Sequence, residues 1–129
     1  MTTLPQLARD LLDGKNFASI ATVQPDGMPQ SSVVWVKRDG DDVLFSTIRG
    51  RRKTDNLIAN PRVSVLVIDV ADGYRYAEIR GMAEITEDPA AELIEELSVK
   101  YTGESFGERP GQRVIVRVRP AHVVARDDD

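Results

Sequence analysis

The sequence predicts a mainly β (α+β) fold, an antiparallel barrel, closed or partly closed, of about six strands with a few short helices. Three observations lead there. Short runs rich in β-branched residues recur along most of the 129-residue chain, turn signals such as Pro-Asp-Gly and Asp-Gly separate them, and helical periodicity is confined to brief segments. One domain, residues 1–126, followed by an acidic tail at 127–129, accounts for this length.

Residues 3–13 place Leu4, Leu7, Ala8, Leu11 and Leu12 on one helical face, with Thr3 and Gln6 spaced as a capping box and Pro5 in the first turn; Gly14 ends the helix. Residues 17–23 form the first strand. Gln24-Pro25-Asp26-Gly27 turns it into the second, 29–37, where Val33, Trp35 and Lys37 share one face and Ser32, Val34 and Val36 the other. Arg38-Asp39-Gly40-Asp41 turns the chain into a third strand, 43–47, giving a three-stranded meander. A polar loop, 48–52, runs into a short helix, 53–59, stopped by Asn60-Pro61 because the residue before a proline avoids the α region. The strand 62–70 carries Val63, Val65 and Val67 on one face and Leu66 and Ile68 on the other, which predicts burial on both. Asp72-Gly73 opens a long strand, 74–85, in which Gly81 marks a bulge or a close backbone approach. Asp88 caps a helix that runs to Tyr101 with Leu93, Ile94 and Leu97 as its apolar stripe. Residues 102–112 form a Gly- and charge-rich loop, 114–125 the last strand, and the aspartate tail is solvated.

Composition removes several functions. The net charge is -4, from 17 Lys+Arg against 21 Asp+Glu, and the three terminal aspartates supply three of those four excess charges. A nearly neutral body argues against a general nucleic-acid or anionic-membrane partner. The absence of cysteine excludes disulfides, thiolate zinc sites, iron–sulfur clusters and a Cys nucleophile. With a single histidine, no metal site is expected, and a Ser-His-Asp triad would have to use His122, which has no sequence neighbour to orient it. Asp41-Asp42 and Glu95-Glu96 are adjacent pairs whose members point to different faces, so they read as solvated charge. The start of the chain lacks a signal-peptide pattern and no stretch approaches 18 apolar residues, so a soluble, cytoplasmic protein is expected.

The unusual local feature is Arg49-Gly50-Arg51-Arg52-Lys53, four cations in five residues of an acidic chain. A basic run by itself is ordinarily a solvated loop. Here it joins the hydroxyls of Ser46 and Thr47 at a strand end to the N-terminus of a helix, and Gly50 permits close backbone approach. Free N–H groups, hydroxyls and guanidinium donors together make a cradle for one phosphate. No nucleophile, base or metal stands out, so a bound cofactor would carry the difficult step of any reaction. Trp35 could stack on a planar ligand or fill the core.

The blocks Phe17-Ala18-Ser19-Ile20-Ala21-Thr22-Val23, Asp26-Gly27-Met28-Pro29-Gln30-Ser31-Ser32-Val33-Val34-Trp35, Leu44-Phe45-Ser46-Thr47, Arg51-Arg52-Lys53-Thr54-Asp55-Asn56-Leu57 and Asn60-Pro61-Arg62-Val63-Ser64-Val65 follow one another in the order seen in a known family. With the later Tyr76-Ala77-Glu78-Ile79-Arg80-Gly81-Met82-Ala83-Glu84-Ile85, the chain resembles the pyridoxamine 5'-phosphate oxidase-like split β-barrel (FMN-binding split barrel) proteins. The short length and the Arg-x-Lys-Thr-x-Asn-Leu block at 51–57 are most similar to the branch that uses the deazaflavin coenzyme F420. The family's C-terminal Arg-x-x-Arg-x-x-Trp substrate motif has no counterpart, because Trp35 is the only tryptophan beside Arg113, Arg117, Arg119 and Arg126. Oxidation of pyridoxamine phosphate is therefore not expected.

The resemblance implies a homodimer with cofactor sites where the barrels meet, and an F420-dependent transfer of hydride to an electron-poor small-molecule acceptor such as an enone, quinone or tetrapyrrole-like compound. An FMN-binding oxidoreductase and a non-catalytic flavin or deazaflavin carrier are its alternatives. By position, the family implies that Arg51, Arg52, Lys53 and Thr54 with Ser46 and Thr47 hold or flank the cofactor phosphate, and that Asn56 braces the loop. Gln30, Ser32 and Val33 lie along the ring. Tyr74 and Tyr76 come from the partner subunit, and Arg113 lies near the cofactor. Arg49 and Arg52 are candidates for the exit taken by the coenzyme's polyglutamate tail. No catalytic side chain is assigned.

Overall fold

The computed structural model describes residues 2–108 and 110–127, so Asp128 and Asp129 of the expected tail lie outside the described residues. Among them, the elements run α1 (Gln6–Asp13), β1 (Ala18–Val23), β2 (Pro29–Val34), β3 (Lys37–Asp39), β4 (Asp42–Ile48), α2 (Arg52–Ala59), β5 (Arg62–Asp69), β6 (Asp72–Glu87), α3 (Glu92–Thr102) and β7 (Arg113–Arg126). The strands form one sheet in the order β2-β1-β5-β6-β7-β4-β3, antiparallel at every pairing. The mainly β class expected from the sequence holds. The strand count is seven rather than six, because the segment 29–37 is two strands.

That division shapes the fold. β2 pairs with β1 and β3 with β4, so the two lie at opposite ends of the sheet with only Trp35 and Val36 between them. Two extended residues span roughly 7 Å, so the sheet must curl until its ends approach each other, which makes a split barrel. The expected three-stranded meander is corrected accordingly, since β4 pairs with β7 on its far side and not with β2. The cause lies at the crossover. Val36 is fully buried in the main core, whereas Trp35 turns away to stack on Tyr101 of α3, with ring centroids 5.4 Å apart. Having left the ladder, the backbone of Val36 is satisfied by α3: its N–H donates to the Tyr101 hydroxyl at 3.2 Å, and its carbonyl accepts from Lys100 Nζ at 2.7 Å.

The core fills the inside of the curl, where Ile20, Val43, Phe45, Val65, Val67, Ile79, Val116 and Val118 meet Leu4, Ala8, Leu11 and Leu12 of the N-terminal segment. The strand buried on both faces is β4, because α3 lays Leu93 and Leu97 over Leu44 on its outer side. The expected double burial of 62–70 is not observed. No element covers the outer face of β5, and Ile68 is exposed there. The predicted irregularity at Gly81 is present as a register shift opposite β7, and a Cβ at Gly81 would lie 2.1 Å from the Arg119 carbonyl oxygen, so only glycine fits.

Two caps differ from expectation. Thr3 and Gln6 form no capping box: α1 starts after Pro5 with no side-chain cap, Leu4 N–H donates to Asp41 Oδ1 at 2.9 Å, and Gln6 donates to Asp10. Asp88 does cap α3, but from four residues before its first residue, each carboxylate oxygen accepting one amide, from Glu92 and Leu93, at 3.0 Å. Of the tail, Asp127 is not simply solvated, because Arg75 donates to it at 3.4 Å.

Candidate functional site

β4 ends at Ile48, and the chain turns through Arg49, Gly50 and Arg51 into α2. Gly50 takes φ +93° with open space around its Cβ position, so glycine serves the turn here and not a close approach. The first intrahelical amide is that of Asp55, which donates to the Arg51 carbonyl at 3.0 Å, leaving the N–H groups of Arg52, Lys53 and Thr54 free at the helix start. Thr54 turns inward, donating its hydroxyl to the Ile48 carbonyl at 2.8 Å. Its hydrogen being used, it accepts from Thr47 Oγ1 at 3.1 Å. Two residues on, buried Asn56 donates to Thr22 Oγ1 on β1 at 3.0 Å, and Thr22 to Gln30 Oε1 on β2 at 3.2 Å. These bonds fix the first turn of α2 against three strands.

A cleft of about 260 Å³ opens beside this turn. Its polar lining is Arg51, Lys53 and Arg113 with Ser46 and Thr47. Its apolar lining is Phe17, Val33 and Val34 from the β1–β2 side, Trp35 from the crossover, Ile48 from the end of β4, Ile94 and Leu97 from α3, and Phe106 from the loop. Phe106 meets Trp35 edge-on at 6.4 Å, and the Arg113 guanidinium lies 5.2 Å over the Phe106 ring.

Among the described residues, no carboxylate pairs with Arg51, Lys53 or Arg113, although eight other cations of the chain are in ion pairs. Burial first, and then the Arg51 guanidinium, hold Lys53 below its ordinary lysine value. The same two causes, in the same order, hold Arg113 below its ordinary arginine value, against the pull of Asp88. Arg113 Nη1 donates weakly to Ser46 Oγ at 3.4 Å, while its buried Nε has no partner. Ser32 Oγ is the other buried side-chain atom left without a partner. A cleft that concentrates unneutralised, partly desolvated cations at free helix amides is built for an anion.

Of the residues expected at the site, Val33, Ser46, Thr47, Arg51, Lys53 and Arg113 line the cleft. Gln30, Thr54 and Asn56 belong to the bracing network behind it. Arg52 is exposed, and Tyr74 and Tyr76, at the start of β6, do not line it in this chain. Arg49 is engaged by Glu87, its Nε donating at 2.9 Å. Phe17, Val34, Ile48, Ile94, Leu97 and Phe106 also line the cleft and were not among the expected residues. An isolated phenylalanine in a Gly-rich loop was the available signal for Phe106; Ile94 and Leu97 read simply as a helix stripe. His122 is exposed, and among the described residues no cluster of His, Asp and Glu could hold a metal ion. No helix among them is long and apolar enough to cross a membrane.

A split antiparallel barrel with such a cleft defines a class, the flavin-binding oxidoreductase-like split barrels. The chain belongs to the pyridoxamine 5'-phosphate oxidase family, whose pattern matches residues 4–127. It is similar to a solved F420 reductase, 36% identical, with a TM-score of 0.86 over 94% of this chain and 98% of that one. General stress protein 26 of Bacillus subtilis is 28% identical over 123 residues, 93% of this chain and 86% of that protein. A pyridoxine/pyridoxamine 5'-phosphate oxidase of Cupriavidus metallidurans is 32% identical over 97 residues, 74% of this chain; the match spans only 42% of that longer protein. The resemblance expected from the sequence, to this family and to its F420-linked members, is borne out.

Proposed function

We propose that the chain is an F420-dependent oxidoreductase, in which the reduced deazaflavin supplies a hydride to an electron-poor small molecule such as an enone or quinone. The observation that carries this is the cationic wall: Arg51 and Lys53, unpaired, beside the free amides that open α2. The residues fit a phosphorylated cofactor. Lys53 and Arg51 would bind the phosphate with the amides of Lys53 and Thr54, while the Thr54 and Thr47 hydroxyls, committed to each other and to Ile48, hold the turn in shape. Ser46 keeps its own hydrogen to donate. Val33 lines the cleft and would lie along the ring, whereas Gln30 and Ser32, on the other face of β2, do not line it. The apolar lining would limit water beside the bound ring, and no side chain is assigned as acid or base.

Similarity to an F420 reductase favours the deazaflavin over FMN, which the same cradle would accept. The exposed apolar residues Val33, Val70 and Tyr74 and an apolar hollow of about 390 Å³ between β1, β5 and β6 support a homodimer, in which Tyr74 and Tyr76 would reach the partner's cleft. A cytoplasmic setting is part of the same proposal. Parallel titration of the wild type and Lys53→Ala with F420 and with FMN tests it. Tighter F420 binding and a loss in the variant of about 1–3 kcal/mol, the scale of a charge-assisted hydrogen bond, are expected. Preference for FMN favours the FMN enzyme. If bound, reduced F420 is oxidised no faster than free coenzyme across a panel of enones and quinones, the chain is a carrier.

A further inference from the structure

Arg113 stands apart from the other two cations of the cleft. It is rooted at the start of β7, opposite Ile48, and not in the α2 turn. Arg51 depresses the pKa values of both Lys53 and Arg113. Lys53, Arg51 and the amides of α2 already amount to a complete phosphate cradle. Arg113 instead lies over Phe106, which in turn meets Trp35 edge-on, so its guanidinium faces the aromatic end of the cleft. There, among the described residues, the guanidinium makes one hydrogen bond, a long one to Ser46, and its buried Nε–H has no acceptor. Arg113 lines the cleft and, among the described residues, has no carboxylate partner, so the Nη groups of its guanidinium are available to the oxygens of a carboxylate ligand.

We propose that Arg113 anchors a second subsite in the cleft, one that takes the carboxylate of a planar, apolar acceptor whose rings lie against Phe106 and Trp35. This rests on the cofactor phosphate occupying the Arg51–Lys53 end. It makes Arg113 a specificity residue: the preferred acceptors are anionic aromatic or conjugated acids, and their neutral amides or esters bind poorly. Trp35 is held for this by its stacking on Tyr101, and Phe106 by the guanidinium above it.

Calorimetric titration of the full chain with 2-naphthoate and with 2-naphthamide, ligands of one shape and two charges, tests the subsite with and without saturating cofactor. The naphthoate is expected to bind at least about 10-fold more tightly than the amide, the return of one charge-assisted contact, and to do so in both conditions. Arg113→Gln should bring the two ligands to within about 2-fold of each other, Arg113→Lys should keep part of the preference, and cofactor affinity should change less than about 3-fold in either. Equal binding of the two ligands by the wild type overturns the proposal. So does competition between naphthoate and cofactor, or a loss of cofactor affinity in Arg113→Gln as large as that of naphthoate, because Arg113 then belongs to the phosphate. If neither F420 nor FMN binds at all, it is the cofactor assignment that fails, and the cofactor-free arm still decides the subsite.

Discussion

The molecule carries its arginines in two ways. On the outer side of β3, β4 and β7, Arg117 donates to Asp39 and Asp42 at 2.9 Å each, and Arg119 reaches Asp42 and Glu84, a network in which every cation has a carboxylate. In the cleft, among the described residues, Arg51 and Lys53 at the start of α2 and Arg113 at the start of β7 have none. Arg113 and Arg117 stand four residues apart on β7, so the difference between a paired and an unpaired arginine is not one of fold. Paired charge at the surface adds little stability and asks for nothing. Unpaired, partly buried charge lowers stability until an anion arrives, and that is how a binding site differs from a solvated face of equal composition.

The largest effect expected from breaking this contrast is at Lys53. Lys53→Ala should weaken binding of the phosphorylated cofactor about 10- to 100-fold, the loss of one charge-assisted contact. The same variant should leave the cofactor-free protein as stable as the wild type or more so, because it removes a cation held below its ordinary pKa by burial and by Arg51. Cofactor titration and thermal melts of the apo protein measure the two halves. A variant that loses stability and keeps affinity would turn Lys53 into an ordinary structural residue.

Lys100 is a third kind of cation, half-buried and satisfied by backbone, and it ranks next. Its ammonium donates to the carbonyls of Leu12 at 2.6 Å and Val36 at 2.7 Å, and lies 4.9 Å over the Tyr101 ring. Lys100→Met removes the ammonium donor from both, leaving Val36 only the longer 3.3 Å contact from the Tyr101 hydroxyl, and should cost about 1–3 kcal/mol by urea denaturation. The pH dependence has a definite sign. Burial lowers the Lys100 pKa from 10.5 to about 8, with Lys37 adding to the shift and Asp13 and Glu96 opposing it. The folded state therefore holds this proton less tightly than the unfolded chain. The stability Lys100 contributes is full above the ordinary lysine value and is lost as pH falls through that range to about 8. Tyr101 works the other way, its pKa raised first by burial, so its contribution is lost only as pH rises past its ordinary value near 10. Between pH 8 and 10 the lysine governs, and the wild type should gain stability relative to Lys100→Met across that interval. A constant difference between the two would show that Lys100 is not desolvated.

Local pattern made much of this legible, and its failures share one cause. The strand positions, the stop at Asn60-Pro61, the need for glycine at position 81 and the cations of the α2 turn all follow from residues near in sequence. The break at Trp35–Val36 does not. The alternation from Val33 to Lys37 continues without a turn residue, and what ends β2 is a pair of side chains 64 and 65 residues further on, Lys100 and Tyr101, which supply the hydrogen bonds the ladder no longer does. The capping box at Thr3 and Gln6 gives way in the same fashion to Asp41, 37 residues from Leu4. In the cleft, the cations could be read from their spacing, whereas the roles of Thr47 and Thr54 could not, because whether a hydroxyl faces the ligand or the carbonyl of Ile48 is settled by the turn's three-dimensional closure.

Thr54→Val sharpens that last point with a smaller effect. It removes the donor to the Ile48 carbonyl and the acceptor for Thr47 while keeping the shape of the side chain, so apo stability should fall by about 1 kcal/mol. Cofactor affinity should fall only as far as the turn loosens, well short of the loss at Lys53. An affinity loss equal to that of Lys53→Ala would place the Thr54 hydroxyl on the phosphate itself.

The smallest effect belongs to the outer network. Arg117 holds two aspartates, one of them half-exposed, and both raise its pKa through their hydrogen bonds. Water and salt screen such pairs, so Arg117→Gln should cost no more than about 1 kcal/mol, less in 0.5 M salt than at low ionic strength, and should leave cofactor binding unchanged. The salt series is the informative part. Raising ionic strength should erase the difference between wild type and Arg117→Gln, and it should stabilise the cofactor-free protein by screening Arg51 from Lys53 and Arg113. A stability that falls with salt in both proteins would mean that the paired charges outweigh the unpaired ones, and that the cleft is not the electrostatic liability its empty carboxylate positions imply.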